Sequence, residues 1–535
     1  MQHTPFLPMI LTFVMISWIL FGGSLASVSA LASSSTSSSS TLTPIKHLVI
    51  IFQENVSFDH YFATYPHALN GANGTKFTAN IHTPSVNGLS TSASAALLTG
   101  NPNSASPYRL DPSQQRTCDI THSYTGEQKE YNGGLMDKFV QFSDPLFSFN
   151  PKEVGKCNPN QVMGYYDGNA VTALWNYAQH FAMSDNFYGS IFGPSVPGHL
   201  NLISGQTHSA IPSSPNIKGV VNNTVIGNPD PVRDDCSPSF LPSSGMISMV
   251  GKNVGNILNS KNITWGWFSA GFKPSTKTPE GKWICTFTNH TSLGGSNTHD
   301  YYPDVEPFQY YNSTANPHHL PPTSISMIGR TDQANHQYDI NNFWNAAMTG
   351  NLPAVSFLKA ATYQDAHPID SDAIDEQNFL VNTLNRLQNL PEWNSTAVII
   401  TYDDSGGWYD HVMPPIVSQS NNPANDALLG SVGLCGHASK SAYQDRCGYG
   451  PRLPLLIISP YSKVNFVDHA ITDQSSILRF IEDNWGLGRI GNQSFDVKAG
   501  SLMNMFDFTI AAHHANKMFL DPSGYRQRNG IFETH

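Results

Sequence analysis

Residues 397–411, AVIITYDDSGGWYDH, decide the fold. Their first half is an unbroken apolar and β-branched run, the pattern of a strand covered on both faces rather than the alternation of a half-exposed one. The run stops at Asp403-Asp404, and Ser405-Gly406-Gly407 then supplies a turn. Working outward, similar runs recur as HLVIIF from His47, ITWGWF from Ile263, AVSFLKA from Ala354 and LPLLIIS from Leu453. Helical patterns lie between them. In DEQNFLVNTLNRLQNL, from Asp375, the residues Phe379, Leu380, Leu384, Leu387 and Leu390 recur at helical spacing, and SSILRFIEDNWGL follows from Ser475. This alternation predicts an α/β sandwich with a mostly parallel sheet flanked by helices. Gly/Asn/Ser/Pro-rich stretches at 66–117, 206–262 and 270–330 read as long loop insertions that wall or lid a site, since structureless loops of that length are rare unless functional.

The 535 residues suffice for a large core. Charged residues are only 13% and hydrophobic ones 39%, which excludes disorder for most of the chain. A net charge of −11 without any basic run argues against a nucleic-acid partner. The 21 histidines outnumber that charge, so their full protonation reverses its sign, a hint of an acidic milieu. Residues 1–32 carry a long apolar stretch ending in Ala30-Leu31-Ala32, an A-x-A pattern, and read as a signal peptide or an N-terminal anchor. Residues 33–43 read as a Ser/Thr-rich linker and 44–535 as one catalytic domain, secreted or extracytoplasmic. Six cysteines without a CxxC pair favour disulfides over zinc; they allow 15 connectivities, of which pairing of sequence neighbours, 118–157, 236–285 and 435–447, is the expectation.

Ligands of open α/β sheets bind beyond the carboxyl ends of strands. Two apolar runs end there in oxygen-rich pairs, Glu54-Asn55 and Asp403-Asp404. Three carboxylates converging with an amide oxygen repel one another unless a cation sits between them. Hard oxygen donors favour Ca, Mg or Mn. The alternative is that the aspartates cap a turn and Glu54 pairs with a surface base. Ser195, in FGPSVPG, stands where a Gly-Pro turn starts a helix. Its hydroxyl is either an N-cap or a nucleophile beside a bound anion. The absence of a G-x-S-x-G elbow disfavours a Ser-His-Asp esterase. His122, His319, His367 and His411 lie in polar surroundings and are the remaining candidates.

The segment QENVSFDHYF from Gln53 resembles the opening of the phosphoesterase family that contains secreted bacterial phospholipases C and related acid phosphatases. Further segments match in the family's order: His122-Ser123-Tyr124 with YNGGLMD from Tyr131, Gly193-Pro194-Ser195, STANPHHLP from Ser313, Asp375-Glu376-Gln377, YDDSGGWYDH from Tyr402 and GSLMNMFD from Gly500. The resemblance runs from about residue 45 to 510 and implies an alkaline-phosphatase-like three-layer fold that hydrolyses phosphate esters through a phosphoserine. Carried over by position, it makes Glu54, Asn55, Ser195, Asp403 and Asp404 ligands of a divalent metal ion and Ser195 the nucleophile. It places His122, His367 and His319 around the phosphate. Where the family often has a His-His pair, this chain has Pro303-Asp304-Val305-Glu306. Acid phosphatase and phospholipase C chemistry share these residues, so the implied substrate is a phosphate mono- or diester, with lipid contact peripheral. A catalytically silent surface protein that binds phosphorylated ligands is the alternative of another class.

Overall fold

The computed structural model describes residues 41–527 apart from 71–75, 112–115, 144, 147–156, 159, 238–244, 275, 282, 286–287, 431–432 and 510–515. The expected targeting segment and residues 33–40 of the linker lie outside the described residues. Among those described, no helix is long and apolar enough to cross a membrane.

All five apolar runs form strands of one eight-stranded sheet. In chain order its strands are β1 (His47–Gln53), β2 (Ala182–Ser184), β3 (Trp265–Ser269), β4 (Gln337–Asp339), β5 (Val355–Lys359), β6 (Thr396–Tyr402), β7 (Leu455–Ile458) and β8 (Phe466–Asp468). Their spatial order is β4-β3-β5-β1-β6-β7-β2-β8, and only β7 runs antiparallel to its neighbours. Two hydrophobic cores flank the sheet, and alternate residues of a strand feed alternate cores. Val49 and Ile51 enter one core with α2 (Thr172–His180), α4 (Ile340–Met348) and α5 (Ala373–Gln388). Leu48, Ile50 and Phe52 enter the other with α3 (Ser195–Ser204) and α6 (Gln474–Asn484). The result is the expected three-layer α/β architecture. Burial on both faces is why these runs are continuous rather than alternating.

The three neighbour disulfides, 118–157, 236–285 and 435–447, form as expected. The long insertions differ from the expectation of loops. Residues 206–262 contain a small sheet of Ala210–Pro212, Asp230–Pro231 and Met246–Met249, together with the helix Val254–Ser260. Strands of two to four residues are too short to leave a periodic signal in a sequence.

Candidate functional site

The central strands β1 and β6 pair in parallel with Gln53 opposite Tyr402, so the residues that follow each strand leave the sheet side by side. The Asp403 N–H donates to the Gln53 carbonyl at 3.0 Å, and the Asn55 N–H to Asp403 Oδ1 at 2.9 Å. Asn55 takes a left-handed φ of 58°, and Gly406 and Gly407 take φ of 58° and 72°. These turns let both members of each pair face one region, which extended strands do not allow. A Cβ on Gly406 would lie 2.7 Å from the Asn55 carbonyl, so the two turns interlock only because residue 406 is glycine. In α3, Gly198 packs directly on the Asp403 backbone and brings the start of that helix to the acidic pairs.

Ser195 is the first residue of α3, and its hydroxyl caps no backbone N–H. It donates instead to Asp404 Oδ2 at 3.3 Å, which removes the capping alternative. His122 Nε2 lies 3.8 Å from the same oxygen, with Nδ1 held by the Ile120 carbonyl. His199, one helical turn after Ser195, donates through Nδ1 to the Ser195 carbonyl at 3.0 Å and sets Nε2 3.6 Å from Glu54 Oε1. Candidate ligand atoms of Glu54, His199 and Asp403 lie within 4.8 Å of one another. Asp403 Oδ2, Asn55 Oδ1 and His199 Nε2 are buried and make no hydrogen bond. Buried acceptors without donors are costly, and a divalent cation among oxygen ligands satisfies them together. The residues present therefore fit a metal ion.

The electrostatics agree. Burial raises the Asp403 carboxyl well above its usual range, and Asp404 and Glu54 raise it further. Burial also raises Asp404, to about 6, against the pull of His122. Glu54 goes the other way. Burial, the largest influence, would raise it, but the buried Lys359 ammonium, 3.1 Å from Oε1, acting together with His199 and His367, overcomes that and holds it at about 2. His367 is pushed up to about 9, because Asp119 and Asp370 overcome the opposing effect of burial. Glu127, in α1 (Tyr124–Tyr131), accepts from the Gly193 N–H at 2.7 Å and the Ser405 hydroxyl at 2.6 Å, tying the turn before Ser195 to the turn after Asp404.

His319 bonds to a different set of residues. Its Nδ1 engages the Phe272 carbonyl at 2.6 Å and its Nε2 engages Asp234 at 2.8 Å, beside the Cys236–Cys285 disulfide. His411 is likewise held by Asp59, at 2.6 Å.

The model of the Phosphoesterase family matches residues 45–488. The chain belongs to the phosphoesterase family. It is 24% identical over 454 residues to the non-hemolytic phospholipase C of Pseudomonas aeruginosa, covering 83% of this chain and 54% of that protein. It is 25% identical over 461 residues to phospholipase C A of Mycobacterium tuberculosis, covering 83% and 74% respectively. The chain thus spans about half the length of the Pseudomonas relative. Among solved structures, murine ectonucleotide pyrophosphatase/phosphodiesterase 5 is 12% identical, with a TM-score of 0.29 over 63% of this chain and 95% of that one.

In this phosphoesterase chain the sequence reading missed His199, Lys359 and Glu127. His199 carries a usable signal, since position i+4 from Ser195 shares its helix face. Lys359, a charge closing an apolar run, was legible at a strand end. Glu127 left none, because its partners are distant in sequence.

Proposed function

We propose that this chain is an exported hydrolase of phosphate esters, of phospholipase C or acid phosphatase type, whose catalytic domain spans 44–535 and acts through a divalent cation and a phosphoserine. The observation that supports it most is the Ser195 hydroxyl 3.3 Å from Asp404 Oδ2, beside buried acceptors that lack donors. Glu54, Asn55, Asp403 and Asp404 would hold the ion, with the Ser195 oxygen beside it and His199 as a further donor. When bound, the ion supplies neutralisation of the phosphoryl charge and a lower pKa for the serine hydroxyl.

In this reading the Ser195 proton passes to Asp404 Oδ2. The Oγ–P bond forms as the bond from phosphorus to the leaving alcohol breaks, and His122 protonates the departing oxygen. Asp404 and Asp119 raise the His122 pKa against the effect of burial, which suits a proton donor. His367, cationic beside the site, holds the phosphoryl oxygens. Water, giving a proton to the now neutral His122, then attacks phosphorus; the P–Oγ bond breaks, Asp404 returns its proton to the Ser195 oxygen, and phosphate or its monoester leaves. The phospholipases C among the relatives support phospholipid diesters as one substrate class, reached by peripheral contact.

Turnover of p-nitrophenyl phosphate, p-nitrophenyl phosphorylcholine and phosphatidylcholine vesicles, with and without chelator, tests the proposal. Activity lost to chelator and restored by metal is expected, with an acid-stable phosphate on Ser195 in quenched samples. Ser195→Ala is expected to lower kcat by roughly a thousandfold or more. Full turnover in that variant refutes the covalent route, and no turnover of any substrate with metal restored refutes the enzyme.

A further inference from the structure

The Val196 N–H, next to the nucleophile in the chain, does not point into an open cleft. It donates to Asn228 Oδ1 at 3.1 Å. Because an N–H requires an acceptor, this bond fixes which way the carboxamide is turned. The carbonyl oxygen faces Val196, and Nδ2, with two hydrogens, lies beside it at the end of α3 that presents Ser195. Nδ2 donates to no other described residue, and Asn228 is half-buried.

The residue is also held rigidly. Pro229 follows it, and the buried Tyr310 hydroxyl donates to the Pro229 carbonyl at 2.7 Å. Asp230 and Pro231 then enter the small sheet, paired with Met246 and Ile247. A carboxamide fixed at both ends brings its donor to a reacting centre at little entropic cost.

We propose that Asn228 is a catalytic residue of this site, whose Nδ2 donates to a non-bridging oxygen of the phosphoryl group while Oδ1 is retained by Val196. This rests on the phosphoserine reading above. A neutral donor suits this position, since charge on the phosphoryl oxygens must be stabilised as Ser195 attacks, and a preorganised donor does so without reorganisation.

Asn228→Asp separates this role from a merely structural one. The aspartate keeps an acceptor for the Val196 N–H, at a helix N-terminus that favours negative charge, so folding and capping are preserved. It loses the donor and faces the phosphoryl group with a carboxylate. The expected result is a fall in kcat of about a hundredfold or more, the cost of one oxyanion donor, with melting temperature and metal content unchanged. Asn228→Ala is expected to lose as much. Inorganic phosphate, titrated calorimetrically into metal-loaded Ser195→Ala with and without Asn228→Asp, is expected to bind at least about tenfold more weakly to the double variant, a loss of about 1.4 kcal/mol.

If Asn228 only caps the helix, N228D keeps wild-type kcat and phosphate affinity while N228A declines. That pattern overturns the proposal, as does N228A with unchanged kcat and phosphate affinity should the aspartate variant not fold. Ser195→Ala, assayed alongside, keeps the two readings apart. Turnover in that variant refutes the phosphoserine, whereas an inert S195A with an active N228D refutes the role of Asn228 alone.

Discussion

Replacing Arg452 by Met tests what holds the two strand-end segments of the site together. The guanidinium is fully buried and donates to Asp410 Oδ1 at 2.9 Å and Oδ2 at 3.1 Å, to Asp59 Oδ1 at 3.2 Å, and to the carbonyls of Asn87 at 2.8 Å and Asp185 at 3.0 Å. Asp59 lies five residues beyond Glu54 and Asp410 six beyond Asp404, so one cation joins the chain leaving β1 to the chain leaving β6. Methionine fills much of the space but leaves two buried carboxylates facing each other, with His411 beside Asp59 and the Asp59 and Val412 N–H groups on Asp410. Breaking a buried ion pair from one side costs about 3–5 kcal/mol. Two carbonyls that lose their donors add about 1 kcal/mol each, which places Arg452→Met at or above the upper end. Urea unfolding with linear extrapolation measures it. Adding Asp59→Asn and Asp410→Asn to the same protein removes the stranded charges and is expected to recover a large part of the loss. A single variant within about 1 kcal/mol of wild type, below what any buried pair of this kind costs when broken, refutes the reasoning.

Acid should weaken the fold through buried neutral histidines. Burial lowers His60 to about 3, its Nδ1 donating to the Gly164 carbonyl and its ring stacked on Trp408. Between its ordinary value of 6.5 and about 3 the unfolded chain binds a proton that the folded chain refuses, so stability falls as pH drops through that window. His60→Gln is expected to flatten the slope of unfolding free energy between pH 6.5 and 5 by up to about 1.4 kcal/mol per pH unit, and an unchanged slope refutes it. Removing the Cys435–Cys447 bridge by a double Ser substitution opens a loop of sequence separation 12. By loop entropy it is expected to cost about 3 kcal/mol in urea unfolding, and a double variant within about 1 kcal/mol of wild type refutes it.

Much of the site was legible because it follows from local patterns. Glu54-Asn55 and Asp403-Asp404 each close an apolar run, and the sheet brings those ends together through the register of β1 on β6. The turn at Gly406-Gly407 was legible for the same reason. Other features lacked a local signal. LPLLIIS reads alike whether β7 runs parallel or antiparallel, and direction depends on which strands lie beside it. His319 looked like its fellow histidines in sequence, and only the folded chain pairs it with Asp234, 85 residues away.

The sequence alone determined the α/β class and the strand-end placement of the acidic pairs, because apolar periodicity acts over short stretches of chain, whereas it left the disulfide connectivity open among fifteen pairings. Tertiary structure alone decided that Ser195 bonds to Asp404 rather than capping its helix, that Lys359 sets the charge of Glu54, and that Asn228 sits over Val196. These contacts join residues 32 to 305 positions apart, and burial sets their energies by stripping water from charges that would otherwise be screened.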